Sequence, residues 1–107
     1  MVNDLDIAKI SEDTGISRQV LEEIVSLATK YDIERLILFG SRARGDYYRT
    51  SDIDLAVSGG NIPRFSFSVD EDTSTLLMFD FVNLDRAVQK ELREAIEQEG
   101  ILLYEKI

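Results

Sequence analysis

Three short apolar runs limit what this chain can fold into more than any other feature. Arg35-Leu-Ile-Leu-Phe39 has strand length and stops at Gly40. Asp52 to Ser58 alternates, with Ile53, Leu55 and Val57 on one face and Asp52, Asp54 and Ala56 on the other. Leu76 to Asn83 is apolar except for Asp80, and reads as a third strand. Helical patterns lie around these runs. Residues 17–31 repeat Val20, Ile24, Leu27, Ala28 and Tyr31 at helical spacing, with Ser17 placed to cap. Ser41 to about Arg44 suits a short helix, and about Arg86 to Glu99 a longer one that ends at Gly100. Ile101 to Tyr104 fits a short terminal strand. Residues 64–75 stay open: Phe65, Phe67 and Val69 alternate like a strand, but Asp70-Glu71-Asp72 breaks the pattern. Strands alternating with helices predict an α/β or α+β fold.

The 107 residues predict one domain, with residues 1–16 as an N-terminal helix-and-turn extension. Its loosest joint is expected near 59–64, where Gly59-Gly60-Asn61 precedes the sole proline, Pro63. No stretch approaches the roughly 20 apolar residues of a membrane span, and the N-terminus lacks a signal-type apolar run. A soluble, cytoplasmic protein is expected.

The missing residues narrow the chemistry. Without cysteine or histidine, thiol nucleophiles, Cys zinc sites and the commonest general base are excluded. Catalysis would have to run on carboxylates, hydroxyls, Lys or Arg. A metal would take oxygen ligands, which favours Mg²⁺, Mn²⁺ or Ca²⁺. The net charge of −9 argues against general nucleic-acid binding, because gripping phosphates takes basic side chains. Residues 7–24 do resemble a helix-turn-helix, with Gly15 at the turn and Ser17-Arg18-Gln19 opening the second helix. Glu22 and Glu23 follow at once, so a short helix pair packed on the sheet is the stronger reading.

Two clusters can carry chemistry. Gly40-Ser41-Arg42-Ala43-Arg44-Gly45 follows a strand and opens a helix, a placement that suits a phosphate. Asp46-Tyr47 stands where a P-loop would need Lys-Ser/Thr, so a Walker A reading fails. Asp52 and Asp54 lie two residues apart on one strand face, about 6.6 Å apart along it. Like charges there repel, and a divalent cation would relieve them. Asp80 sits among large apolar residues, where a charge needs a partner or a cation. Three carboxylates beside a phosphate-binding turn form the inventory of a metal-dependent phosphoryl or nucleotidyl transferase.

Gly40-Ser41, ten further residues, then Asp52-Ile53-Asp54 resembles the G-S-x10-D-x-D motif of the DNA polymerase β-type nucleotidyltransferase superfamily. The run GSRARGDYYRTSDIDLAV, the Asp80 segment FDFVNLD and the ending EGILLYEKI resemble its minimal nucleotidyltransferase (MNT) family. The resemblance covers about residues 17–107. It implies a small mixed sheet backed by helices, the polymerase β-like palm, and attack of a hydroxyl on the α-phosphate of ATP or another NTP. By position it implies that Gly40 and Ser41 hold phosphates and that Asp52 and Asp54 bind two Mg²⁺ ions, with Mn²⁺ as a substitute. Asp80 would ligate the catalytic metal and help deprotonate the acceptor. Arg42 and Arg44 are candidates for phosphate contact. The family pairs with HEPN proteins as antitoxins, so the resemblance implies AMP transfer to a tyrosine of a HEPN toxin. A small molecule or an RNA end is the alternative acceptor. A non-catalytic antitoxin or a DNA-binding regulator is the alternative of another class. Assembly with further copies of the chain is compatible with all of these.

Overall fold

The computed structural model describes residues 4–107. Its elements are α1 (Asp4–Thr14), α2 (Arg18–Lys30), β1 (Arg35–Phe39), α3 (Ser41–Arg44), β2 (Ile53–Ser58), α4 (Ile62–Asp72), β3 (Phe79–Asn83), α5 (Lys90–Glu99) and β4 (Ile101–Glu105). The expected extension over 1–16 is thus α1 plus the Gly15 turn, apart from residues 1–3, which lie outside the described residues.

Local sequence explains most boundaries. Ser17 caps α2 by accepting the Val20 amide at 3.2 Å, and Val20, Leu21, Ile24 and Ala28 form its buried stripe. The open stretch 64–75 resolves as helix. Ile62, Phe65, Ser68 and Val69 are buried at helical spacing, Asn61 accepts the Arg64 amide at 3.3 Å, and Pro63 lies in the first turn. Phe67 points to solvent, so the strand-like alternation is a coincidence of composition. The joint expected to be loose is instead pinned. The Asn61 amide donates to the Tyr31 carbonyl at 3.0 Å, and the Gly59 amide to Asp85 at 2.9 Å. The third strand is shorter than its apolar run: Leu76 and Met78 are exposed, and pairing begins at Phe79. Likewise α5 starts at Lys90 because Arg86 closes a turn onto Asn83. Gly100 ends α5 with extended backbone, not the left-handed form a capping glycine usually takes.

The four strands form one mixed sheet in the order β3-β2-β1-β4. β1 runs antiparallel to β2 and β4, whereas β2 and β3 are parallel and joined through α4. Side chains alternate, so the two faces differ. Leu36, Leu38, Ile53, Leu55, Val57, Phe79 and Leu103 face the main core with buried residues of α1, α2 and α4. The other face holds a smaller cluster of Ile37, Ala56 and Ile96, covered by α5. Beyond that cover, where β1 ends and β2 and β3 begin, the second face stays accessible. Among the described residues no helix is long and apolar enough to cross a membrane.

Candidate active site

The open end of the second face gathers the acidic residues. In the sheet register Asp54 stands opposite Phe39 of β1 and Asp80 of β3. Parallel neighbours in register project to the same face one strand spacing apart, about 4.8 Å. Asp54 and Asp80 accordingly come within hydrogen-bonding reach of each other. Asp54 is half-buried, and its carboxyl is pushed up to about 6 from the ordinary 3.8. Burial is the largest cause, followed by the negative charges of Asp80 and Asp52 and a hydrogen bond with Asp80; the Arg44 cation opposes them. Asp52 precedes β2, is exposed, and acts on Asp54 through its charge. Among the described residues no three carboxylates are already drawn into a ready-made metal cage.

The donor set nevertheless fits a hard divalent cation. All the groups are carboxylate oxygens, and a cation would offset the repulsion that Asp80 and Asp52 exert on Asp54. Gly40 builds the wall of this site. Its φ of 78° and ψ of −159° lie in a region open almost only to glycine. A Cβ there would overlap Asp54 Oδ2. The Gly40 backbone can therefore lie against the carboxylate only because it has no side chain. Gly40→Ala should cost about 2–4 kcal/mol and lower the melting temperature by roughly 8–15 °C. A variant melting within about 2 °C of the parent would show that the turn relaxes freely.

Ser41 opens α3, half-exposed, one residue from Gly40. With only four residues, α3 offers a phosphate its turn amides rather than a sizeable helix dipole. The two arginines separate. Arg44 is exposed and bridges Asp46 and Glu99 of α5, both at 3.2 Å, and these acids raise its pKa further, Asp46 more than Glu99. Its charge still reaches Asp54. Arg42, expected as a phosphate contact, is 2% exposed. Its guanidinium donates to the carbonyls of Thr14, Tyr48, Arg49 and Ser51 and lies over the Tyr47 ring at 4.9 Å. A side chain so enclosed and committed does not reach into the open cleft, and Arg42 leaves the phosphate set.

Sequence reasoning missed Thr14 and Tyr47 as partners of this arginine. It also missed Glu99 as the anchor of Arg44. A Cβ on Gly15 would overlap the Tyr47 ring, a contact visible only once the chain is folded.

Comparison with known proteins agrees with this fold. Residues 22–107 match the family model described as "Polymerase beta, Nucleotidyltransferase". A protein of Methanocaldococcus jannaschii, provisionally named a protein adenylyltransferase, is 39% identical over 67 residues, 61% of this chain. The match spans 65% of that relative, just under two thirds of its length. A solved structure described as a provisional minimal nucleotidyltransferase is 28% identical, with a TM-score of 0.64, over 83% of this chain and 94% of that one. A toxin–antitoxin crystallised with AMP-PNP has a TM-score of 0.62 at 24% identity, over 80% of this chain and 73% of that one. At that identity the likeness speaks for the fold.

Proposed function

This chain belongs to the polymerase beta nucleotidyltransferase family, and we propose that it moves AMP from ATP to the tyrosine hydroxyl of a HEPN-type toxin, the hydroxyl oxygen bonding to the α-phosphorus as pyrophosphate leaves, and so acts as an antitoxin. The observation that carries the reading is the pairing of Asp54 and Asp80 in register on adjacent strands, with Asp54 against Gly40 of the Gly40-Ser41 turn. Histidine is absent, so acid–base work falls to these carboxylates. The protein acceptor is supported by the provisional name of the M. jannaschii relative and by the toxin–antitoxin assembly of a protein with the same fold.

In this reading Gly40 and Ser41 hold the terminal phosphates through backbone amides and the hydroxyl. Arg44 stands at the rim as a further positive charge, released from Asp46 or Glu99 when phosphate competes for it. Asp52, Asp54 and Asp80 would hold Mg²⁺, or Mn²⁺ in its place, which neutralises phosphate charge and activates the attacking oxygen. Asp80, the more exposed of the close pair, would take the proton of the acceptor.

The deciding experiment incubates the chain with Mg²⁺ and ATP, with and without a HEPN partner, and reads intact masses. The expected result is little turnover alone and a gain of one adenylyl group on a partner tyrosine. Transfer only to an aminoglycoside or to an RNA end would replace this acceptor by a small molecule or nucleic acid. No transfer to any of them, with no nucleotide bound, would leave an antitoxin that acts by binding.

A further inference from the structure

We propose that Arg42 is a positioning residue: its buried guanidinium sets the chain segment 48–52 and thereby places the Asp52 carboxylate relative to Asp54. The inference rests on the metal-binding reading of these carboxylates. Burying a cation is costly unless it is paired and hydrogen-bonded. Here the acceptors are all main-chain carbonyls: Ser51 at 3.0 Å from Nε, Thr14 at 2.9 Å, Arg49 at 3.1 Å and Tyr48 at 3.5 Å. Three of the four belong to the residues that lead into Asp52. Ser51 is its immediate neighbour, and its hydroxyl also accepts the Tyr48 amide at 2.8 Å.

Arg42 lies one residue beyond Ser41, so one side chain ties the phosphate turn to the segment carrying a metal ligand. The planar fork fixes direction as well as distance, because its N–H groups diverge at set angles. The Tyr47 ring stacks against its face and keeps the plane from rotating. A lysine at this place keeps the charge but cannot reach the four carbonyls as a fork. The pairing partner of Asp54 on β3 is untouched by such a change, because Asp80 is held by sheet register. The effect should therefore fall on Asp52 alone.

The test uses the full chain, wild type and Arg42→Lys, with two readouts. Hydrogen exchange should show the amides of residues 48–52 exchanging at least about tenfold faster in the variant, while β1 and β2 stay protected. Loss of an outer partner of a metal ligand weakens metal binding on the order of 10–100-fold, so the melting gain from Mg²⁺ with ATP should shrink accordingly. Because the gain is compared within each variant, a merely structural arginine would lower both melting points and leave it unchanged. Should Arg42→Lys fail to fold, Tyr47→Leu removes the ring under the guanidinium, with a smaller loss of the same kind expected. A wild type stabilised by Mg²⁺ and ATP, with either folded variant stabilised equally, overturns the positioning role. A wild type without any such gain overturns the nucleotidyl-transfer reading itself, and unchanged exchange at 48–52 overturns the role of Arg42 regardless of metal.

Discussion

Asp54→Asn should lose at least about 10³-fold in transfer rate and yet melt higher than the parent when no divalent ion is present. Both halves follow from one carboxylate. Its pKa of about 6 lies above the ordinary 3.8, so the folded state holds the proton more tightly than the unfolded chain does. That contribution is fully present below about pH 4 and is lost as pH rises through about 6. Above that, the parent keeps a charge that burial and two neighbouring acids disfavour. The side chain is half-exposed, so solvent screening cuts the penalty to about 1–2 kcal/mol, or roughly 4–8 °C in melting temperature. Asparagine has no proton to lose, and the gap between variant and parent should close as pH falls to about 4. Melting curves from pH 4 to 8 in a chelator, with transfer measured separately, check both halves. A variant that melts lower than the parent at pH 7 would mean that Asp54 is paired with something that holds its charge.

Asp80→Asn should bind nucleotide almost normally and transfer AMP about 10²–10⁴-fold more slowly. Asp80 stands on β3, away from the Gly40-Ser41 turn that would grip the triphosphate. What its loss removes is help in deprotonating an acceptor hydroxyl, which for tyrosine has an ordinary pKa near 10. The substitution also removes one of the negative charges that raise Asp54, while burial, the largest cause, remains. The residual activity should therefore persist to lower pH than in the parent. Nucleotide titration and single-turnover transfer across pH separate these effects. Equal loss of binding and transfer would place Asp80 in the nucleotide site, and near-normal transfer would hand its task to Asp52 or Asp54.

How much of this could be read beforehand depended on whether a signal was local. The alternation at Ile53, Leu55 and Val57, the helical stripe of α2 and the Ser17 cap are short-range patterns, and the structure keeps them. The helix over 62–72 was ambiguous because Phe65 and Phe67 fall at even spacing, and only packing shows that one is buried and the other exposed. Spacing put Asp52 and Asp54 on one strand face, but the strand begins only at Ile53, so Asp54 alone is on it and Asp52 stands just ahead. That Asp80 would stand beside Asp54 required the strand order and register, which depend on the α4 crossover. Arg42 was misread because an arginine beside glycines looks like a phosphate ligand. Its acceptors are main-chain carbonyls, which every residue has, so no residue type in the sequence marks them.

The carbonyl of Thr14 that receives Arg42 belongs to a part of the chain that the family match, beginning at residue 22, leaves out. Ile7, Ile10 and Ile16 are buried in the main core, and Gly15 lies against Tyr47. Trimming this protein to its recognised family boundaries would strip three isoleucines from the core, each worth about 1.5–3 kcal/mol of burial, and orphan a guanidinium N–H in the interior. The family-matched part of the chain, residues 22–107, is not an independent cassette. Fusions and recombination points that respect the family border would cut through the support of the segment leading into Asp52, whereas a junction ahead of α1 would spare it.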